Sequence, residues 1–127
     1  MYNKFDSQTL EAYWVDGRFK FSNELIENIS FEGLNLVGAC FDGSELVNVS
    51  FNGCSLNGAS FIGSVVEEAD FESADLRGAK LSKAVFSESS FDMAIMDEVV
   101  LNNATFRDCV FSPASMGGVD KSTARFE

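Results

Sequence analysis

The chain contains no histidine, so the side chain most used as a general base and as a metal ligand is missing. No serine sits in a nucleophile turn, and no glycine loop has phosphate-binding spacing. Catalysis is therefore not expected, and neither a metal nor a cofactor is expected. No stretch approaches the roughly 20 consecutive apolar residues that a membrane span needs. No apolar run follows Lys4 at the N-terminus, so a signal peptide is not expected and a cytoplasmic location is. Cations are scarce: nine Lys and Arg stand against 20 Asp and Glu, for a net charge of −11. None lies between Lys20 and Arg77, while residues 21–76 hold ten acids. Phosphates would repel such a surface, which argues against direct binding of nucleic acid or anionic lipid.

What the chain does have is a period. From Phe21 to Met116 every fifth residue is large and apolar, beginning Phe21, Ile26, Phe31, Leu36, Phe41 and never failing over twenty positions. At 46% apolar content, chance would give such a run on the order of once in five million trials. From Ala39 on, a smaller residue sits two before each of these centres, as at Ala39, Ser44, Cys54, Ala74 and Ala104. Two residues after, glycine recurs, as at Gly33, Gly38, Gly53, Gly63 and Gly78. The small and large residues are two apart, which is strand spacing, so both point to one side. The glycine then turns the chain, because it accepts backbone angles a side chain disfavours.

Short strands joined by turns, all with one side inward, wind into a coil. Centres 15 residues apart match in 2 of 17 pairs, and centres 20 apart match in 11 of 16. Phe31, Phe51, Phe71, Phe91 and Phe111 form one column. Four units therefore close one turn, and the reading is an all-β, four-sided parallel solenoid of about five coils over 21–116. At ~4.8 Å per coil its body is roughly 24 Å long. The chain forms one domain whose coils depend on stacked neighbours.

The unit Ala74-Asp75-Leu76-Arg77-Gly78, with Ala69-Asp70-Phe71 before it, resembles the motif of the pentapeptide-repeat family. The likeness covers about three quarters of the chain. It implies a right-handed quadrilateral β-helix. The residue before the centre departs from the usual Asp or Asn at Cys40, Val65, Lys80, Val85, Ile95 and Val100, which gives this chain a surface of its own. Some members of that family are acidic cytoplasmic rods that mimic duplex DNA, bind DNA gyrase and shield it from quinolones or toxins. They are commonly dimers. The most active ones carry loops projecting between coils, whereas here the register never breaks.

A solenoid must close its end or expose strand edges and core side chains. Residues 1–20 are expected to do so as a short cap. Asp6 to Ala12 fits a short helix. Asp16-Gly17 between Tyr13-Trp14-Val15 and Arg18-Phe19-Lys20-Phe21 is a hairpin signal. Trp14, Tyr13 and Phe5 are the expected lid. Pro113 takes a turn position near the last coil. Residues 117–127, opening on Gly117-Gly118, are expected to form an irregular tail, with Phe126 as its tether. Of the three cysteines, Cys54 and Cys109 fall at inward positions nearly three coils apart, too far for a disulfide, and Cys40 is expected to face out.

Outward residues stack in columns as well. One column reads Asn28, Asn48, Glu68, Glu88, Asp108, and another reads Glu32, Asn52, Glu72, Asp92, Ser112. Glu67 stands beside the first, and Asp70 lies between the two. These acids are the candidate partner-binding face. Two readings apply: a solvated acidic surface that keeps the rod soluble, or a stripe made for a basic groove on another protein. Outward apolar residues in the later coils, Val85, Ile95, Val100 and Val110, are candidates for self-association into a homodimer. Half-cover by neighbouring side chains is the alternative.

The function expected from these features is a non-enzymatic acidic protein-binding module. Its partner would present a basic surface, such as gyrase or another topoisomerase. The alternative is a neutralising protein for a basic toxin, or a scaffold in an assembly.

Overall fold

A computed structural model describes residues 3, 4, 6–112 and 116–127. The chain opens with strand β1 (Asn3–Lys4) and helix α1 (Ser7–Glu11). The helix is one short turn started by Asp6, whose Oδ1 accepts the Thr9 N–H at 2.8 Å. A hairpin follows, β2 (Trp14–Val15) antiparallel to β3 (Arg18–Phe19) around Asp16-Gly17, as the turn residues require. Then come β4 (Leu25–Glu27), β5 (Ile29–Ser30), β6 (Glu45–Val47), β7 (Val65–Glu67), β8 (Val85–Ser87) and β9 (Ser90–Phe91). The order ends with β10 (Thr105–Arg107), β11 (Val110–Phe111) and β12 (Arg125–Phe126).

Apart from the hairpin, the pairing is parallel and offset by 20 residues over the coils, so the body is a β-solenoid of about five turns. Four columns of pairing define four faces. The first is a six-stranded sheet in the order β12-β10-β8-β7-β6-β4. The second runs from β1 through β5, Ser50, Asp70 and β9 to β11. The third runs Asn35, Ser55, Asp75, Ile95, and the fourth Lys20, Cys40, Ser60, Lys80, Val100.

Turns on the last three faces close with a hydrogen bond across the glycine position, such as Leu34 N–H to Phe31 O at 3.0 Å and Ala74 N–H to Phe71 O at 3.0 Å. The small inward residues fill the space between centres. Where they are polar they bond within the coil or to the one before: Ser64 Oγ donates to Phe61 O at 2.8 Å, and Cys54 Sγ donates to Phe31 O of the preceding coil at 2.8 Å. No buried side-chain oxygen or nitrogen among the described residues lacks a partner. Centres from Phe31 to Met96 are fully covered, and each buried Phe contributes about 1.5–3 kcal/mol.

Three expectations need correction. Residues 117–127 are not an irregular tail. Although Lys121 interrupts the five-residue count, the 20-residue column continues. Phe126 stacks on Phe106 with centroids 5.1 Å apart, and β12 pairs with β10. Glu127 N–H bonds Phe106 O at 2.7 Å. Trp14 is not a lid. It packs edge-on against Phe19 and stays 53% exposed, while Tyr13 stacks on Phe21 at 4.5 Å and Leu10 is buried. Cys40 projects from the fourth face yet is buried, because Lys20 and Ser60 flank it and Ser22 Oγ lies 3.1 Å from its sulfur. Phe5 and Pro113 lie outside the described residues.

Candidate partner-binding face

The second face is bordered by two corners. On one, the residue after each first-face strand takes a left-handed backbone: Asn28, Asn48, Glu68, Glu88 and Asp108 have φ between 50° and 59°. On the other stand Glu32, Asn52, Glu72, Asp92 and Ser112. The coil pairing Ser50–Asp70–Ser90 and the register of β9 with β11 hold both corners in line. Glu68, Glu72, Glu88 and Asp108 are exposed, and so is Glu67 at the edge of the first face. Asp70 and Asp92 are half-buried and tied down. Asp70 Oδ1 accepts the Glu72 N–H at 2.8 Å, and Asp92 Oδ1 accepts the Ser112 hydroxyl at 2.7 Å.

The acids that the period places in columns are thus brought together on one face and its borders. Glu32 extends the second column by register with Asn52 and Glu72, and the same 20-residue spacing reveals it. The density peaks in the third coil, where Glu67, Glu68, Asp70 and Glu72 fall within six residues. The two corners together carry a carboxylate every ~2.4 Å of axis where both columns are acidic, against about 1.7 Å per charge in duplex DNA. Backbone strain does not mark the acidic corner as special, since Ser73, Lys83, Met93 and Glu98 also have positive φ.

The cations stand elsewhere. Lys4 enters the register of the second face only at its N-terminal end, in β1. Arg77 forms an ion pair with Asp75 on the third face, with 2.6 Å between Nη2 and Oδ2. That hydrogen-bonded guanidinium holds the Asp75 carboxyl down at about 2. Lys80 is on the fourth face, with Lys83 at its edge. Arg107 on the first face bonds Glu127 at 2.9 Å.

The four valine and isoleucine candidates for self-association are not brought together. Val85 lies on the first face, Val110 on the second, Ile95 on the third and Val100 on the fourth. They are five or ten residues apart rather than the twenty of a full coil, so each falls on a different side. Val85 is also half-covered, beside Val65 in the strand next to it.

Neither cysteine in the core is a candidate nucleophile. Burial pushes the Cys54 thiol up to about 12 and raises Cys109 as well. Among the described residues no group of three or more Cys, Asp or Glu could hold a metal ion, and no helix is long and apolar enough to cross a membrane.

The pentapeptide repeat region model matches residues 24–93. The chain belongs to the pentapeptide-repeat family. No curated protein matches it. Among solved structures, it is similar to a pentapeptide repeat protein from the Arabidopsis thaliana thylakoid lumen, at 27% identity and a TM-score of 0.42. That match covers 81% of this chain and 65% of the other. A pentapeptide repeat protein from Nostoc is 22% identical, with 98% of this chain and 97% of that one covered and a TM-score of 0.44. QnrB1, a plasmid-mediated fluoroquinolone resistance protein, is 16% identical in one trypsin-treated form, over 85% of this chain and 64% of that one, with a TM-score of 0.40. The chain thus spans just under two thirds of the length of the first of these relatives.

Proposed function

We propose that this pentapeptide-repeat chain is a non-enzymatic binding module. Its acidic second face engages a basic surface on a protein that handles nucleic acid, DNA gyrase or another topoisomerase being the leading candidate. The supporting observation is the alignment of Glu68, Glu88 and Asp108 on one corner with Glu72 and Asp92 on the other, with no Arg or Lys on either corner or on the face between them from the first coil to the fifth, Arg107 standing outside them in the column of Glu67. Two rows of carboxylates on a stiff rod offer a basic groove what the two phosphate rows of a duplex offer it, at somewhat lower charge density.

Opposite-sign surfaces speed encounter more than they tighten the final complex. Association should slow steeply as salt rises, because exposed charges are screened beyond roughly 8 Å at physiological ionic strength. The test is binding of purified gyrase by wild type and by the Glu68→Gln, Glu88→Gln, Asp108→Asn variant, with duplex DNA as competitor. Weaker binding by the variant, a shallower salt slope and competition by DNA support the reading. Unchanged affinity and salt slope would reduce the acidic face to a solubility feature.

A further inference from the structure

Among the described residues, the N-terminal end of the solenoid is covered on three sides and open on one. On the second face β1 pairs with β5. On the fourth, Cys40 N–H bonds Phe19 O at 2.8 Å and Tyr13 stacks on Phe21. On the third, Leu36 is fully covered. On the first face nothing described lies beyond β4. Ile26 is half-buried, although Leu46, Val66, Phe86 and Phe106 below it in the same column are 0–1% exposed. Leu25 is 61% exposed.

The coils below show which backbone groups of β4 are left over. Val65, Val85, Thr105 and Arg125 each donate the N–H toward the preceding coil, and Glu127 does the same. The carbonyls of Glu67, Ser87 and Arg107 accept from the preceding coil. By that register the Leu25 N–H, the Glu27 N–H and the Glu27 carbonyl point out of the stack, and no described residue meets them. Beside them lies a cavity of about 210 Å³ lined by Tyr13, Phe21, Ile26, Ile29 and Phe31 together with Glu24 and Glu27.

We propose that this edge receives an extended segment of a partner protein, added as one more parallel strand. The segment carries a large apolar residue over Ile26 and Lys or Arg at the next position, opposite Glu27. Main-chain bonds to an exposed sheet edge supply affinity in this mode, and the alternating side chains supply selectivity. The chain contains its own template. In β10 the run Thr105-Phe106-Arg107 lies beside β12, where Phe106 stacks on Phe126 and Arg107 Nε meets Glu127 Oε1 at 2.9 Å. Glu127 stands in the column of Glu27, so an arginine one residue past the apolar anchor is in register for Glu27. The carboxylates of Glu24 and Glu27, with no cation among the described residues lining the cavity, select against an acidic segment.

The probe is a labelled peptide, Ala-Thr-Phe-Arg-Asn-Ala, with a Glu-for-Arg control, titrated against the full chain. Amide exchange at Leu25 and Glu27 is followed by NMR. Saturable binding that slows exchange at both amides is expected. Glu27→Lys should weaken the Arg peptide at least about tenfold and favour the Glu peptide instead. Glu27→Gln is the milder variant should the lysine disturb folding, and it should weaken the Arg peptide in the same direction. No binding at about 1 mM, or binding indifferent to residue 27, overturns the proposal. Slow exchange at Leu25 and Glu27 before peptide is added overturns it as well. If that protection grows with protein concentration, a second copy is the occupant. If it does not, the chain's own N-terminal residues are. The acid-to-amide variant of the second face should bind the peptide normally, so failure here and failure of the proposed function are separable.

Discussion

Phe71 and Phe91, one coil apart, stack with centroids 4.8 Å from each other and planes 3° from parallel. Phe51 stacks on the other side of Phe71 at 4.9 Å, and Phe61 and Phe86 meet it edge-on. The spacing of the rings matches the spacing of the strands, so backbone ladder and side-chain column reinforce one another. Phe71→Ala should cost about 3–5 kcal/mol, because rigid neighbours on every side cannot close the cavity. Glu72→Ala, one residue on and exposed, should change stability by no more than about 0.5 kcal/mol. Urea melts of the two variants check this, and similar losses would contradict the inward and outward assignment.

Gly63 and Lys83 occupy the same corner in successive coils, with φ of 66° and 62°. Only glycine adopts that region without a steric cost. A Cβ at Gly63 would meet nothing within 4 Å, so Gly63→Ala should lose stability through the backbone alone, by about 1 kcal/mol. Lys83→Gly should gain up to about 1 kcal/mol, relief of the left-handed strain being partly offset by a more flexible unfolded chain. Thermal melts should move in opposite directions for the two variants.

Asp75 gives a pH signature. Its carboxyl is held at about 2 by the hydrogen bond from Arg77, below the ~3.9 of an unfolded chain. A carboxyl lowered by folding contributes stability that is present above about pH 4. That contribution is lost as pH falls from about 4 to about 2. Arg77 is 56% exposed, so the contribution is no more than about 1 kcal/mol. Asp75→Asn should therefore be slightly less stable than wild type near pH 7, and the urea midpoints should converge as pH falls to about 2.

The dispersal of Val85, Ile95, Val100 and Val110 over four faces bears on assembly. No one flat contact can cover all of them. Changing Ile95 and Val100 to Lys together should leave the molar mass in light scattering unchanged, with the β spectrum intact. A drop in mass would show that the third or fourth face carries a contact by itself.

The sequence by itself determined the solenoid. A centre every fifth residue, a small residue two before it and a turn residue two after leave the chain no other way to bury Phe31, Phe51 and Phe71 together. The 20-residue identity of centres set four units to the coil. The same arithmetic put Glu68, Glu88 and Asp108 in one line and Glu72 and Asp92 in another, because outward residues inherit the register of inward ones. Tertiary structure decided what the local pattern does not encode. Whether Phe126 joins the stack depended on a column 20 residues long surviving the interruption at Lys121. Whether Trp14 or Tyr13 covers Phe21 depended on where the hairpin lies across the first coil. Whether Cys40 is exposed depended on Lys20, Ser22 and Ser60, all about one coil away. The edge at Leu25 and Glu27, which no described residue pairs, could be seen only once the cap was in place, since such an edge is defined by what does not lie beside it.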